Sequence, residues 1–473
     1  MTKKEIDAFA KKAVRKSTLV WDRMTSSEEK KAFDFADDYK KFLNDAKTER
    51  KAVRAIVEKL EKNGFINIDG PKKTAVKKHG RYYRVFKEKT VAAAVLGNQP
   101  LEKGLQIVAA HVDSPRLDLK QNPLYEEVDL AMFKIHYYGG IRKHQWLARP
   151  LALYGRVIKN NGQMVDIELG EDEKDPVFTI ADLLPHLAAK LQNGKKLADV
   201  FEGEKLNLLA GSLPIGDTDV KDRFRLAVLK QLYDTYKIVE EDLMSAELEA
   251  VPAGRARDVG FDRSLIGAYG QDDRVCAYTS LAALCDVKQP GKTAVALFYD
   301  KEEIGSEGNS SAQSRFMPDF ISDLSAINGR ALEERGLRKV IANAAALSAD
   351  VNGALDPDYQ EVHEKRNAAH LGYGICITKF TGSRGKSGAN DASAEFVGRV
   401  RGIFNANKIV WQTGELGKVD QGGGGTLAKF LAEYGMDIVD CGPSLLSMHS
   451  PFEISSKGDV YMTYKAYHAF WMA

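Results

Sequence analysis

Imidazoles and carboxylates stand just beyond apolar runs at several places in this 473-residue sequence. His111 and Asp113 follow 105-LQIVAA-110, Asp272 and Asp273 follow 266-IGAYGQ-271, and Glu302 and Glu303 follow 293-TAVALFY-299. Asp350 follows 340-VIANAAALSA-349, and His449 lies within 445-LLSMHSPFE-453. In an open α/β sheet, ligands bind outside the carboxyl ends of the strands, so polar residues placed there are candidates for chemistry. Each one alone is explained by a chain meeting water. Together, two imidazoles and three carboxylates, with another carboxylate to spare, are the inventory of a dinuclear zinc hydrolase. Zinc takes nitrogen and oxygen ligands, and two ions about 3.5–4 Å apart need a carboxylate to bridge them. The spare carboxylate can act as base. Neighbours in an extended segment point to opposite sides, so Glu302 and Glu303 would divide the work only on a loop, and Gly305 offers the turn.

Positioning such a set calls for strands alternating with helices. From Ser26 to Gly64, Phe33, Ala36, Tyr39, Leu43, Ala46, Val53, Ile56 and Leu60 recur at helical spacing, which predicts two helices broken near Asn44, with Ser26 or Ser27 as cap. The apolar segments 83-YRVFKEKTVAAAVLG-97 and 104-GLQIVAAHVDS-114 read as buried sheet. Between about residues 117 and 255 the pattern changes to short alternating runs, with a hairpin turn at Asn161-Gly162 and one clear helix, 179-TIADLLPHLAAKLQNG-194. Alternation of strand and helix then resumes: a helix after Asp272, strands at 293–299, 339–348, 408–413 and 437–441, a helix after 422-GGGG-425, and a last helix over 456–471 opened by a Ser456-x-x-Asp459 cap. The four-glycine run reads as a flexible turn. The fold expected is α/β: one domain formed by residues 1–116 and 255–473, interrupted over 117–254 by an inserted β-rich domain.

His111-Val112-Asp113-Ser114-Pro115, Gln271-Asp272-Asp273-Arg274, Lys301-Glu302-Glu303-Ile304-Gly305-Ser306, Ser348-Ala349-Asp350 and Met448-His449-Ser450 occur in the order and approximate spacing of the aspartyl aminopeptidase (aminopeptidase I) family of dinuclear zinc exopeptidases. The sequence resembles that family over nearly its whole length. The resemblance implies two zinc ions per subunit, with Mn²⁺ or Co²⁺ as possible substitutes. It implies that His111 and Asp350 bind one ion, Glu303 and His449 the other, and Asp272 bridges them, with Asp113 orienting the His111 ring. Glu302 is then the general base that activates a metal-bridging water for hydrolysis of the N-terminal peptide bond. The resemblance also implies a three-layer α/β/α zinc-peptidase domain with the β-rich insertion as its dimerisation domain, and a homo-oligomer, a dimer-based tetrahedral dodecamer, in which His186 of the inserted domain reaches a neighbouring subunit's site.

Lys379, Arg384 and Lys386, in 378-TKFTGSRGKSGAND-391, are candidate partners for an acidic substrate side chain, although glycine and serine stand where an acid-specific site would have Lys and Tyr. His363 and His370 have no helical relation and read as surface residues, with His363 also a candidate for the substrate side. Tyr461, Tyr464 and His468 form a stripe expected to be core. Lys and Arg (68) nearly balance Asp and Glu (66), and no basic stripe is interleaved with aromatics, which argues against nucleic acid as a partner. The absence of a long apolar run argues against a membrane span, and four cysteines without CxxC spacing fit a reducing, cytoplasmic setting. Two other readings remain: a metal-dependent deacylase or amidohydrolase on the same site, and a non-catalytic self-assembling relative.

Overall fold

The computed structural model describes residues 1–70, 79–329 and 331–473. A nine-stranded mixed sheet forms its centre, in the order Ile66–Asn67, Arg81–Phe86, Thr90–Val95, Thr293–Tyr299, Leu105–His111, Ala345–Ser348, Asp437–Gly442, Ile375–Thr378 and Trp411–Thr413. Period-two alternation splits these strands between two cores. Val108, Ala110, Ala294, Ala296, Phe298 and Leu347 face one layer of helices, Ser26–Asp45, Glu49–Lys62, Gln271–Asp286, Ala394–Ala406 and Lys457–Met472. Ile107, Ala109, Val295, Leu297, Tyr299 and Ala346 face the other, Phe316–Ile327, Glu334–Ala342 and Leu427–Ala432. Burial on both faces explains why the strands read as continuous apolar runs. The architecture is the expected three-layer α/β/α.

The middle of the sheet is parallel. Thr293–Tyr299 pairs with Leu105–His111 so that Tyr299 lies beside His111, and Ala345–Ser348 pairs with the same strand, Ser348 beside Ala109. Three chain segments therefore leave the sheet at one edge, carrying His111 and Asp113, Glu302 and Glu303, and Asp350. A second, antiparallel sheet of six strands is drawn from Arg116–Glu127, Leu130–Tyr138, Leu151–Ile158, Met164–Leu169, Leu208–Gly211 and Glu247–Pro252, and has its own core around Phe133, Ile135, Trp146 and Tyr154.

Several local expectations need correction. Thr25, not Ser26 or Ser27, caps the first long helix, in a reciprocal capping box with Glu28. The segment 83–97, expected as buried sheet, supplies parts of two strands, the chain turning through left-handed Lys87 and Glu88 between Arg81–Phe86 and Thr90–Val95. The helix expected over 179–194 is confined to Pro185–Leu191: proline is accepted at a first turn and disfavours helix in the residue before it. The longest helix in this region is instead Arg223–Tyr236, outside the one helix expected there. Residues 339–342 belong to the helix Glu334–Ala342, not to the following strand, since Val340 and Ile341 are its buried face. Ser456 makes no side-chain cap, and Asp459 instead accepts hydrogen bonds from the amides of Gly372 and Gly374, both at 2.7 Å. The four-glycine run is not a free turn: Gly423 and Gly424 pair with Ser383 and Gly382, and a Cβ on Gly423 would lie 1.8 Å from the Gly382 carbonyl oxygen.

Candidate active site

The parallel edge brings the candidates together. His111 ends its strand at 1 % exposure, and Nε2 of its ring lies 3.2 Å from Asp272 Oδ1 and 3.9 Å from Glu302 Oε2. Asp272 enters the Gln271–Asp286 helix through non-helical backbone, and its second oxygen lies 3.2 Å from His449 Nε2. His449 Nε2 is also 3.3 Å from Glu303 Oε2. Two potential cation cages result: His111 with Asp272 and Asp350, and Asp272 with Glu303 and His449, the ligand atoms of each within 4.8 Å of one another. Asp272 belongs to both, with one oxygen toward each histidine.

The remaining groups hold these ligands. Asp113 is fully buried and gathers four contacts: the His111 ring at 3.3 Å, the amides of Glu302 and Glu303 at 3.1 and 3.2 Å, and the hydroxyl of Tyr138 at 2.7 Å. It thereby fixes the short 3₁₀ turn Glu302–Ile304, entered through left-handed Lys301 and left through Gly305, which separates the two glutamates as a strand could not. Glu453 is 1 % exposed and accepts from the amides of Gln271, Asp272 and His449 at 2.6, 3.1 and 2.7 Å. Asp273 is buried behind the site and accepts from the His111 amide at 3.3 Å.

The electrostatics are those of a cation site with its carboxylates brought close. Burial works against charge on both histidines, yet Asp113, Asp272 and Glu302 hold His111 well above its ordinary pKa, and Asp272 and Glu303 push His449 up to about 11. Burial, with the Asp272 carboxylate, raises Glu303 well above the carboxylate range, and burial with Glu302 does the same to Asp350. Burial also raises Asp272, but the two imidazoles outweigh it and keep its carboxyl below the ordinary value. Glu302 is pushed up to about 7, chiefly by burial. Asp272 Oδ1 and Glu303 Oε1 are buried with no hydrogen-bond partner. An orphaned anionic oxygen facing an imidazole nitrogen, as Asp272 Oδ1 faces His111 Nε2, suits zinc, which prefers such N and O donors and neutralises the repulsion among the carboxylates.

The site opens into a cavity of about 870 Å³ lined by Asp272, Glu302, Glu303, Asp350 and His449, and farther out by Arg384 and Lys386. Lys379 and Lys386 both bind Asp391, at 2.5 and 2.8 Å, and Lys379 does not line the cavity. His186 is exposed on its helix and does not line this cavity. His363, expected at the surface, is buried at 8 % exposure with its Nδ1 unpartnered, and it does not line the cavity. The stripe expected to be core is its half-buried margin: Tyr461 and Tyr464 pack on Phe35, and none of Tyr461, Tyr464 and His468 is fully buried. Sequence reasoning missed Tyr138, Glu453 and Gly140, whose carbonyl lies 2.9 Å from His449 Nδ1. It also missed Asp440 and Asn352 on the cavity wall, buried with Asp440 Oδ1 and Oδ2 and Asn352 Oδ1 unpartnered. Only the unusual Tyr-Gly-Gly after a strand offered a signal.

No helix among the described residues is long and apolar enough to cross a membrane. The profile of the Aminopeptidase I zinc metalloprotease (M18) family matches residues 42–471. A probable M18 family aminopeptidase 1 of Clostridium acetobutylicum is 48 % identical over 452 residues, covering 95 % of this chain and 97 % of that one. The crystal structure of an M18 aminopeptidase from Thermotoga maritima superposes with a TM-score of 0.92 at 46 % identity, covering 97 % of this chain and 99 % of its own. A structure described as the S. cerevesiae mApe1 dodecamer shares the fold at 21 % identity, with a TM-score of 0.73 over 92 % of this chain and 96 % of its own. The chain belongs to the M18 aminopeptidase I family of zinc metalloproteases, and is an aminopeptidase.

Proposed function

We propose that this aminopeptidase is a cocatalytic dinuclear enzyme that hydrolyses the N-terminal peptide bond of peptides. The observation that carries this reading is the pair of ligand clusters sharing Asp272. His111, Asp272 and Asp350 would hold one ion, and Asp272, Glu303 and His449 the other, with Mn²⁺ or Co²⁺ as substitutes that an oxygen-rich set tolerates. When bound, the ions supply Lewis acidity toward the scissile carbonyl and lower the pKa of the attacking water. Asp113 keeps the His111 ring and the Glu302–Ile304 turn in place. Glu302, outside both clusters and 3.9 Å from His111 Nε2, takes the proton from the water and returns it to the leaving amine nitrogen. The acidic floor favours a substrate that begins with a free ammonium group.

On the substrate side chain, the unpartnered acceptors of Asp440 and Asn352 favour hydrogen-bond donors, while Arg384 and Lys386 stand nearer the surface of the wall. Residues 1–116 and 255–473 serve as the catalytic domain, and 117–254 as the dimerisation domain of a tetrahedral dodecamer. Leu184, Leu187, Leu191 and Leu197, all about half exposed or more around His186, support a subunit contact there, with His186 serving the neighbouring site. Four unpaired, buried cysteines support a cytoplasmic setting. Metal analysis together with matched free-amine and N-acetylated amino-acid amides tests the reading: about two ions per chain and turnover of the free amines alone are expected. One ion per chain, or turnover of the acetylated amides, would refute it.

A further inference from the structure

The strand Leu130–Tyr138 belongs to the inserted sheet, yet its end reaches into the catalytic centre. Tyr138 donates its hydroxyl to Asp113 Oδ2 at 2.7 Å, and Asp113 faces His111 Nδ1 with Oδ1 at 3.3 Å and with its carbonyl at 3.1 Å. Two residues on, the Gly140 carbonyl lies 2.9 Å from His449 Nδ1. A carbonyl oxygen can only accept, so each Nδ1 keeps its proton, and Nε2 is the nitrogen left to offer a lone pair. The tautomer of both histidines is thus set by groups on the far side of the ring from the ligand clusters, and one short segment supplies or braces them.

That segment is itself anchored. Arg116 pairs with Tyr138 across the inserted sheet, and its guanidinium lies 4.0 Å from the centre of the Tyr138 ring. The same guanidinium binds Asp118 at 2.8 Å, Glu49 at 3.2 Å and Glu249 at 3.5 Å, which joins the inserted sheet to a helix of the catalytic domain. At Gly140 a Cβ would lie 3.2 Å from His449 Nδ1, and at Gly139 it would lie 3.4 Å from the Glu303 Cβ. Side chains there would press on one ligand or the other.

We infer that Tyr138, Gly139 and Gly140 are positioning residues of the metal site, so that the inserted sheet holds both histidine ligands in the orientation that binds cations. This rests on the ligand assignment proposed above. Partners of this kind change metal affinity by about 10–100-fold when lost.

The test is zinc affinity of the full-length protein, measured by competition with a chromophoric chelator and independent of turnover. Tyr138→Phe keeps the ring beneath Arg116 and deletes only the hydroxyl; Gly140→Ala adds one methyl group beside His449. In a His449→Ala background, which leaves the His111 cluster, Tyr138→Phe should weaken zinc about tenfold or more and Gly140→Ala should not. In a His111→Ala background the order should reverse. Tyr137→Phe, on the neighbouring half-exposed ring, is the control for an unspecific effect. Unchanged affinity in both backgrounds, or equal loss at both clusters together with a lower Tm of the zinc-free protein, would overturn the inference. Failure of the parent protein to bind zinc at either cluster would instead refute the ligand assignment.

Discussion

Glu302→Gln separates proton transfer from metal binding. Glutamine preserves the side-chain length and the backbone amide that Glu302 gives to Asp113 at 3.1 Å, so the turn that presents Glu303 stays intact. Glu302 belongs to neither ligand cluster, and both ions should be retained. What is lost is a carboxylate able to take a proton, a contribution of about 10²–10⁴-fold. At about 1.36 kcal/mol for each factor of ten, the barrier rises by roughly 3–5 kcal/mol. The loss should fall on kcat with KM nearly unchanged. Burial pushes the Glu302 carboxyl up to about 7 in the bare site, and bound cations favour its ionised form, so the acid limb of the wild-type rate profile should lie below pH 7. Metal content by atomic emission, with steady-state kinetics on a free-amine peptide amide across pH, checks each part. A Glu302→Gln enzyme that keeps both ions and retains more than a tenth of wild-type kcat, or one that loses an ion, would refute the assignment. Glu303→Gln provides the opposite pattern, with loss of an ion preceding loss of rate.

Three further outcomes are expected. His186→Ala should lower activity in the oligomer, and mixing it with inactive Glu302→Gln chains before assembly should restore activity only if the histidine acts between subunits. Asp440→Asn should reduce kcat/KM for substrates with basic N-terminal residues relative to leucine, by roughly tenfold, because a buried charged acceptor is replaced by a neutral one; an unchanged ratio in a substrate panel would exclude it from the side-chain pocket. Burial raises Asp459 from an ordinary 3.8 to about 7, with the Gly372 and Gly374 amides opposing the rise, so its protonated form is favoured in the folded chain. That contribution is present below about pH 4 and is lost as pH rises through 7; the difference in Tm between wild type and Asp459→Asn should therefore change most between those values, and a pH-independent difference would refute it.

The catalytic half of the fold is legible in the sequence because its strands are buried on both faces. Runs such as 105-LQIVAA-110 and 293-TAVALFY-299 leave little choice of element, and a polar residue at their ends marks the sheet edge. The pairing of Asp272 with two histidines was inferable from residue inventory and family resemblance, not from local pattern. Helix ends were less legible, since Thr25 and Ser26 are both competent caps and only packing decides between them. The supporting groups were illegible. Tyr138 looks like any aromatic in a half-exposed strand, and Gly140 acts through a carbonyl that every residue has. Their role depends on where the inserted sheet docks, a tertiary fact with no sequence period. His363 was misjudged for the same reason, because loop burial follows from which segment folds over which.

The proposed ligands run from residue 111 to residue 449 and lie on separate crossings of the chain. Each cluster draws on widely separated parts of the chain, the first on residues 111–350 and the second on 272–449, so ions bound there would recognise assembled topology and not a local segment. By mass action each ion held at a hundred times its dissociation constant adds about 2.7 kcal/mol to the native state. A chain that misplaces the Asp272 segment, which both clusters share, would gain none of this. With the ligand assignment proposed above, activity would thus require both ends of the chain to be folded in place before metal is held.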